Sequence, residues 1–272
     1  MTEKGIKLDS FALTRMGRTE AVSAAEGYEW VYTGSEFCEN LLSEADADLV
    51  MYFLKLRKKV VYSTPPLTDK GVAVTERILA RLDRLFRENG VNREDFEISF
   101  NDMAVCLAVN ENGYGFRLDA GRMIWKNVFV LDGHFNFYLV SRNEAEFFYG
   151  KGVYRYDLGL ASKIPETNIK ACRKYFPKLS VSLFYPYFAL TSSRSCIIGN
   201  SGDRRGHSTC AAGCGKECVF AYFEAEHPFI KEHLFVRGNT LFRKYAADTE
   251  SAASAGKLEE AGIDRIVYCP YP

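Results

Sequence analysis

Short β-rich runs and helical segments alternate along this chain from residue 28 to residue 270. That alternation limits its fold more than any single motif does. "YEWVYTG" (28–34), "VVYSTPP" (60–66), "DFEISFND" (95–102) and "YGFRLDAG" (114–121) read as strands. So do "GVYRYDLG" (152–159), "KLSVSLFYPY" (178–187), "LFVRGN" (234–239) and "IDRIVYCP" (263–270). Between them, "SEADADLVMYFLKLRKK" (43–59) carries Leu49, Tyr52, Phe53 and Leu56 at helical spacing, with Ser43 as a candidate cap. "TERILARLDRLFRENG" (75–90) is the clearest helix, with Ile78, Leu82, Leu85 and Phe86 on one face and Gly90 as its stop. "MAVCLAVNENG" (103–113) and "ESAASAGKLEEAG" (250–262) also read as helical. About eight strands, most followed by a helix, predict an α/β fold: a TIM-type (β/α) barrel, with distortion expected over the aromatic, irregular stretch 125–152. An open parallel sheet fits the alternation too, but the length of 28–270 suits one barrel. The expectation is a single barrel domain over 1–272, with a cysteine-rich loop at 193–218.

In such a barrel, chemistry sits where strands end. Cys38 follows the first expected strand, and Pro65-Pro66 ends the second. Asn101-Asp102 closes the third, Asp119 and Arg122 the fourth, and Asp157 the fifth. The cysteine stretch follows the sixth, which brings Cys38 and residues 196–218 to one rim. Asn101-Asp102 has a simpler reading as a helix cap.

"SRSCIIGNSGDRRGHSTCAAGCGKEC" (193–218) holds Cys196, Cys210, Cys214 and Cys218, half of the eight cysteines. Disulfides, zinc, an iron–sulfur cluster and packing all compete for them. The start "MTEKGIKLDS" lacks the apolar segment of a secretory signal, and no apolar run reaches membrane-spanning length. The expected setting is cytoplasmic and reducing, which favours metal over disulfide. The 47% hydrophobic content supports a core without covalent staples. The Cys-x3-Cys-x3-Cys spacing matches neither paired zinc knuckles nor the ferredoxin run. Five glycines in the stretch let the backbone aim N–H groups at a centre, as cluster sulfides require. Cys106 and Cys172 read as core residues, and Cys269 stays open between core and site. Thirty-five basic residues balance thirty-five acidic ones, so the charge footprint of a general nucleic-acid binder is missing. Arg194, Arg204 and Arg205 read as a solvated loop. His207 reads as solvent-facing or as support for a ligand.

"WVYTGSEFCENLL…LKLRKKVVYSTPPL", "FEISFNDMAVCLAV", "FRLDAGRMIWKN", "FALTSSRSC…STCAAGC" and "IDRIVYCP" resemble, in order, segments of the peptidase U-32 family. They are closest to its UbiV-like iron–sulfur branch. Ala104 stands where that family usually has glycine. The resemblance implies a four-iron four-sulfur cluster held by Cys38, Cys196, Cys210 and Cys214. Cys218 is then an extra thiol that can replace Cys38 as the fourth ligand; zinc is the alternative metal. It further implies one subunit of an oxygen-independent hydroxylase acting on a quinone-like or aromatic ring, paired with a paralogous U-32 protein. An RNA-base-modifying enzyme, a peptidase and a non-enzymatic cluster or zinc scaffold are the alternatives. For proteolysis the chain offers neither G-x-S-x-G nor H-E-x-x-H. The Phe- and Tyr-rich stretch 127–150 fits a partner surface or the barrel's outer layer equally well.

Overall fold

The computed structural model describes residues 2–124, 129–131, 137–139, 142–159, 169–192, 223–225, 234–237, 239–244 and 259–271. The chain opens with β1 (Glu3–Lys7), β2 (Trp30–Gly34), β3 (Lys59–Ser63), β4 (Phe96–Phe100) and β5 (Arg117–Ala120). A short antiparallel hairpin, β6 (Phe129–Leu131) and β7 (Phe137–Leu139), precedes β8 (Val153–Gly159) and β9 (Ser180–Tyr185). Next come β10 (Tyr187–Ser192), β11 (Phe223–Ala225), β12 (Leu234–Arg237) and β13 (Thr240–Lys244); β14 (Arg265–Tyr268) is last. Strands β1, β2, β3, β4, β5, β8, β9 and β14 close into a parallel barrel. Strands β10 to β13 make a separate antiparallel sheet in the order β10-β13-β12-β11.

Helices α1 (Ser10–Ala25), α2 (Asp46–Lys55), α3 (Asp69–Asn89), α4 (Met103–Glu111), α5 (Arg142–Gly150) and α6 (Ile169–Cys172) follow barrel strands or precede them. Their ends are written locally. The Asp9 carboxylate accepts the Ala12 N–H at 3.0 Å and starts α1, which is broken at Gly17. Asp102 accepts from Ala104 at 3.0 Å and starts α4, as the capping reading expects. Gly90 ends α3 in the left-handed conformation, where a Cβ is unfavourable.

Strand alternation sends one set of side chains outward, where Val31, Val60, Ile98 and Leu118 pack under Val50, Phe53, Ile78, Leu82 and Phe86. The other set fills the barrel with Trp30, Tyr32, Val61, Phe184 and Val267 and a large number of buried charges.

Four expectations change. The barrel begins at Glu3, not at residue 28: "EKGIK" is its first strand. "LFVRGN" is a strand, but it lies in the antiparallel sheet rather than in the barrel. In α2 the buried face is Ala47, Val50, Met51 and Phe53, while Tyr52 and Leu56 are exposed. Ser43 does not sit at the cap position, which Ala45 occupies; its hydroxyl accepts the Ala45 N–H at 3.2 Å. No helix among the described residues is long and apolar enough to cross a membrane.

Candidate functional site at the barrel rim

Gly34 ends β2 with φ 89°, and a Cβ there would stand 2.4 Å from the Ser63 carbonyl oxygen. The chain therefore turns tightly against β3 and leads into Ser35-Glu36-Phe37-Cys38. Ser35 N–H donates to the Ser63 carbonyl, and the Ser35 hydroxyl donates to the Cys38 carbonyl at 2.7 Å. On the far side of Cys38, Glu39 accepts the Thr68 N–H at 2.7 Å and so ties the turn to the loop after β3. Cys38 is half-buried in this turn.

Glu36 is buried and anchors the turn. Its carboxylate takes a bidentate pair from Arg122, both bonds 2.6 Å, and a third bond from Lys7 at 2.5 Å. Lys7 also lies 3.5 Å from Asp9, which pairs with Arg237 at 2.8 Å. The Arg122 guanidinium stacks over Phe184 and Phe37, 4.5 and 5.2 Å from the ring centres, and donates to the Tyr187 carbonyl at 3.2 Å. Burial alone would raise the Glu36 and Asp9 pKa values. The cations beside them win and hold both carboxyls down to about 2.

This network fastens the antiparallel sheet across the barrel mouth. β10 starts at Tyr187 beside Arg122 and ends at Ser192, whose hydroxyl lies 2.6 Å from that of Thr240. Thr240 pairs in register with Arg237, the residue that reaches Asp9. Phe242 of β13 meets Phe37 edge to face at 5.1 Å. Asn101, on the same rim, is clamped between loops: it donates to the Thr64 carbonyl at 2.9 Å and accepts the Met123 N–H at 2.8 Å. It packs so closely on Gly121 that a Cβ there would lie 2.5 Å from its Oδ1.

Cys196, Cys210, Cys214 and Cys218 lie outside the described residues, as do His207 and the three loop arginines. Cys106 and Cys172 are buried, as expected of core thiols. Cys269 is buried at the end of β14, and burial pushes its thiol up to about 11 although Arg122 and Lys7 act against that. Among the described residues no group of three or more His, Cys, Asp or Glu is arranged to hold a metal. Cys38 is thus the one expected ligand that the structure describes. The turn that carries it is anchored by the buried rim network, in which Lys7, Arg122 and Arg237 pair with Glu36 and Asp9.

Sequence reasoning named Arg122 but passed over Lys7, Asp9, Glu36 and Arg237. Glu36 was in plain view inside "GSEFC", and charged residues at both ends of β-rich runs were the available signal.

No family model and no curated protein matches this chain. Among solved structures it is similar to a glycerophosphodiester phosphodiesterase from Agrobacterium tumefaciens, with 11% identity and a TM-score of 0.42 over 68% of this chain and 88% of that one. It is also similar to a plant class V chitinase from Cycas revoluta, with 9% identity and a TM-score of 0.45 over 98% and 94%. A chitinase from Trichuris suis follows, with 10% identity and a TM-score of 0.38 over 98% and 91%. The (β/α) barrel is read from the strand order of this chain itself.

Proposed function

We propose that this chain is a cytoplasmic iron–sulfur protein of the U-32 kind, with a four-iron four-sulfur cluster on Cys38, Cys196, Cys210 and Cys214. In this reading it serves an oxygen-independent hydroxylase that acts on a quinone-like or aromatic ring, beside a paralogous U-32 subunit. One observation carries the reading. Cys38 and Ser192 belong to the same rim, joined through Glu36, Lys7, Asp9, Arg237 and Thr240, and Cys196 follows Ser192 by four residues. The other three described cysteines are buried.

When bound, such a cluster supplies single-electron transfer. The chain's own residues do the rest. Ser35 and Glu39 fix the backbone on either side of Cys38. Arg122, Lys7 and Arg237 hold Glu36 and Asp9 and so anchor the turn that carries Cys38, with the Phe37, Phe184 and Phe242 rings around the Arg122 guanidinium.

The test is anaerobic purification with iron, sulfide and zinc analysis. The expected result is about four irons per chain, lost in Cys38→Ser and kept in Cys218→Ser and Cys106→Ala. Stoichiometric zinc without iron overturns the cluster, and the reverse pattern of variants moves the fourth ligand to Cys218. Co-purification at native expression levels, with light scattering, tests the partner. A monomer that turns over a ring substrate alone overturns that part.

A further inference from the structure

Below the rim the barrel interior holds a second polar cluster that the rim site does not use. Glu97 of β4 is buried and accepts from Arg265 of β14 at 2.7 Å. Arg155 of β8 lies 3.6 Å from it, and the half-exposed Arg117 of β5 lies 3.1 Å from its other oxygen. Glu3 of β1 shares Arg265 and Arg155 at 2.9 and 3.3 Å. Two more carboxyls, Asp119 of β5 and Asp157 of β8, complete the group; both are buried and neither has an ion pair among the described residues.

The contacts of these two aspartates are unusual. Asp119 stands opposite Ser99 in the β4–β5 register, on the same inward face as Glu97 two residues back along β4. Glu97 is committed to arginine, and no cation is left to pair with Asp119 among the described residues. A buried carboxyl beside an ionised one and without a cation of its own favours the neutral acid. Asp157 accepts from the Ser99 hydroxyl at 2.6 Å, while its Oδ1 and the Asp119 Oδ2 have no hydrogen-bond partner among the described residues. Trp30 Nε1, Arg155 Nη1 and Arg265 Nη2 are likewise buried and unpartnered there. A buried carboxyl oxygen with no cation or donor beside it favours the neutral acid over the carboxylate.

We propose that the barrel axis is a proton-binding site, in which Asp119 holds one proton at neutral pH and Asp157 takes up and releases a second beneath the rim. The inference does not depend on the cluster. Any rim reaction that moves electrons or breaks bonds to hydrogen must draw or leave a proton, and Asp157 is in electrostatic reach of both Glu36 and Arg122.

The charged and titratable groups around the pair come from most of the barrel. β1 offers Glu3 and Lys7, β2 offers Tyr32 and the Glu36 beyond it, β4 offers Glu97, and β5 offers Arg117 and the Arg122 beyond it. β8 offers Arg155, and β14 offers Arg265 and the Cys269 beyond it. β3 and β9 face the axis with Val61 and Ser182, which do not titrate in this range. The directions agree with the geometry. Burial, then Glu97 and Asp157, push Asp119 well above the carboxylate range, and burial raises Asp157 to about 6.

Intact protein carrying ¹³C-carboxyl aspartate, titrated by NMR from about pH 4 to about pH 8, reads both protons directly. The expected spectrum has one aspartate protonated throughout and one changing state near the middle of the range. Asp119→Asn should remove the first signal and Asp157→Asn the second. Wild-type protein alone decides the matter if a variant fails to fold: aspartates that are all ionised above about pH 5 overturn the proposal.

Discussion

The rim and the axis of this barrel use the same residue types and reach opposite electrostatic states. At the rim Glu36 and Asp9 each have two cationic partners among the described residues, Arg122 and Lys7 for Glu36, Arg237 and Lys7 for Asp9. Along the axis, carboxyls outnumber guanidinium groups among the described residues: Arg117, Arg155 and Arg265 pair with Glu3 and Glu97, and Asp119 and Asp157 are left without an ion pair there. Matched charges fix a geometry, and surplus carboxyls retain protons. The rim is thus suited to holding Cys38 and the antiparallel sheet in place, and the axis is suited to titration.

The largest break in this comparison should come from unmatching the rim. Arg122→Ala strands the buried Glu36 carboxylate and removes a cation from between Phe37 and Phe184. The expected loss is about 3–5 kcal/mol in chemical denaturation. Replacing both partners, as Glu36→Met with Arg122→Met, should cost less than Arg122→Ala alone, because no orphan charge remains. A double variant as unstable as the single would mean that the pair's shape, rather than its charge balance, holds the rim.

The second effect is a pair of opposing pH limbs. Glu36 and Asp9 have folded pKa values lowered to about 2 from 4.5 and 3.8. The stability they contribute is present above their unfolded values and is lost as the pH falls through about 2. Asp157 is raised from 3.8 to about 6, so its sign is reversed. Its protonated form binds the fold better, and that stability is present below about 3.8 and lost as the pH rises through about 6. Linkage puts the loss at up to about 3 kcal/mol. Asp157→Asn, a mimic of the protonated acid, should make the decline between about pH 4 and pH 6 shallower, leaving the part that the still higher Asp119 contributes, and leave the acid limb unchanged. Denaturation midpoints measured across that range check it, and an unchanged decline in the variant would sink the assignment.

Gly34 links the two regions, since its turn lifts the chain from the axis to the rim. Gly34→Ala asks a residue with a Cβ to adopt φ 89° and to press within 2.7 Å of the Tyr62 ring. The expected cost is about 2–3 kcal/mol. If the turn shifts to make room, Cys38 moves with it, and iron content in the proposed holoprotein should fall along with stability.

These regions differ in how far the sequence discloses them. Seven of the eight barrel strands show as runs of Val, Ile, Tyr and Phe, and Ile78, Leu82 and Phe86 mark the buried face of α3. β1 is hidden because "EKGIK" looks like a solvated segment. Its Glu3 and Lys7 point into ion networks whose partners, Arg265 and Glu36, lie far away in the chain. "LFVRGN" misleads for a related reason. A strand that pairs in an antiparallel sheet over the mouth has the same composition as one in the barrel, and only Arg237, reaching Asp9, distinguishes it. Cys38 is legible by its place just past β2, whereas Cys269, just past β14, has the same kind of place and only burial tells the two apart. The axis acids Asp119 and Asp157 are visible as strand-end residues, but their shared protonation depends on Glu97 and on burial, which no local pattern records.

The smallest expected effect tests whether burial, and not the number of ion pairs, separates the rim from the rest of the molecule. Arg81 of α3 reaches both carboxylate oxygens of Asp48 of α2 from one nitrogen, Nη2, at 2.8 and 2.9 Å, distances close to those of the two-nitrogen pair of Arg122 with Glu36. Asp48 is more than half exposed, however, at 58%, against 3% for Glu36. Water already solvates both surface charges, so pairing them gains little and leaves little to lose. Asp48→Ala should therefore change stability by about 0.5 kcal/mol or less, and salt should shrink even that. A loss of more than about 1.5 kcal/mol would put this pair outside the usual range for exposed ion pairs. It would assign to the α2–α3 contact a share of the stability that the comparison gives to the rim.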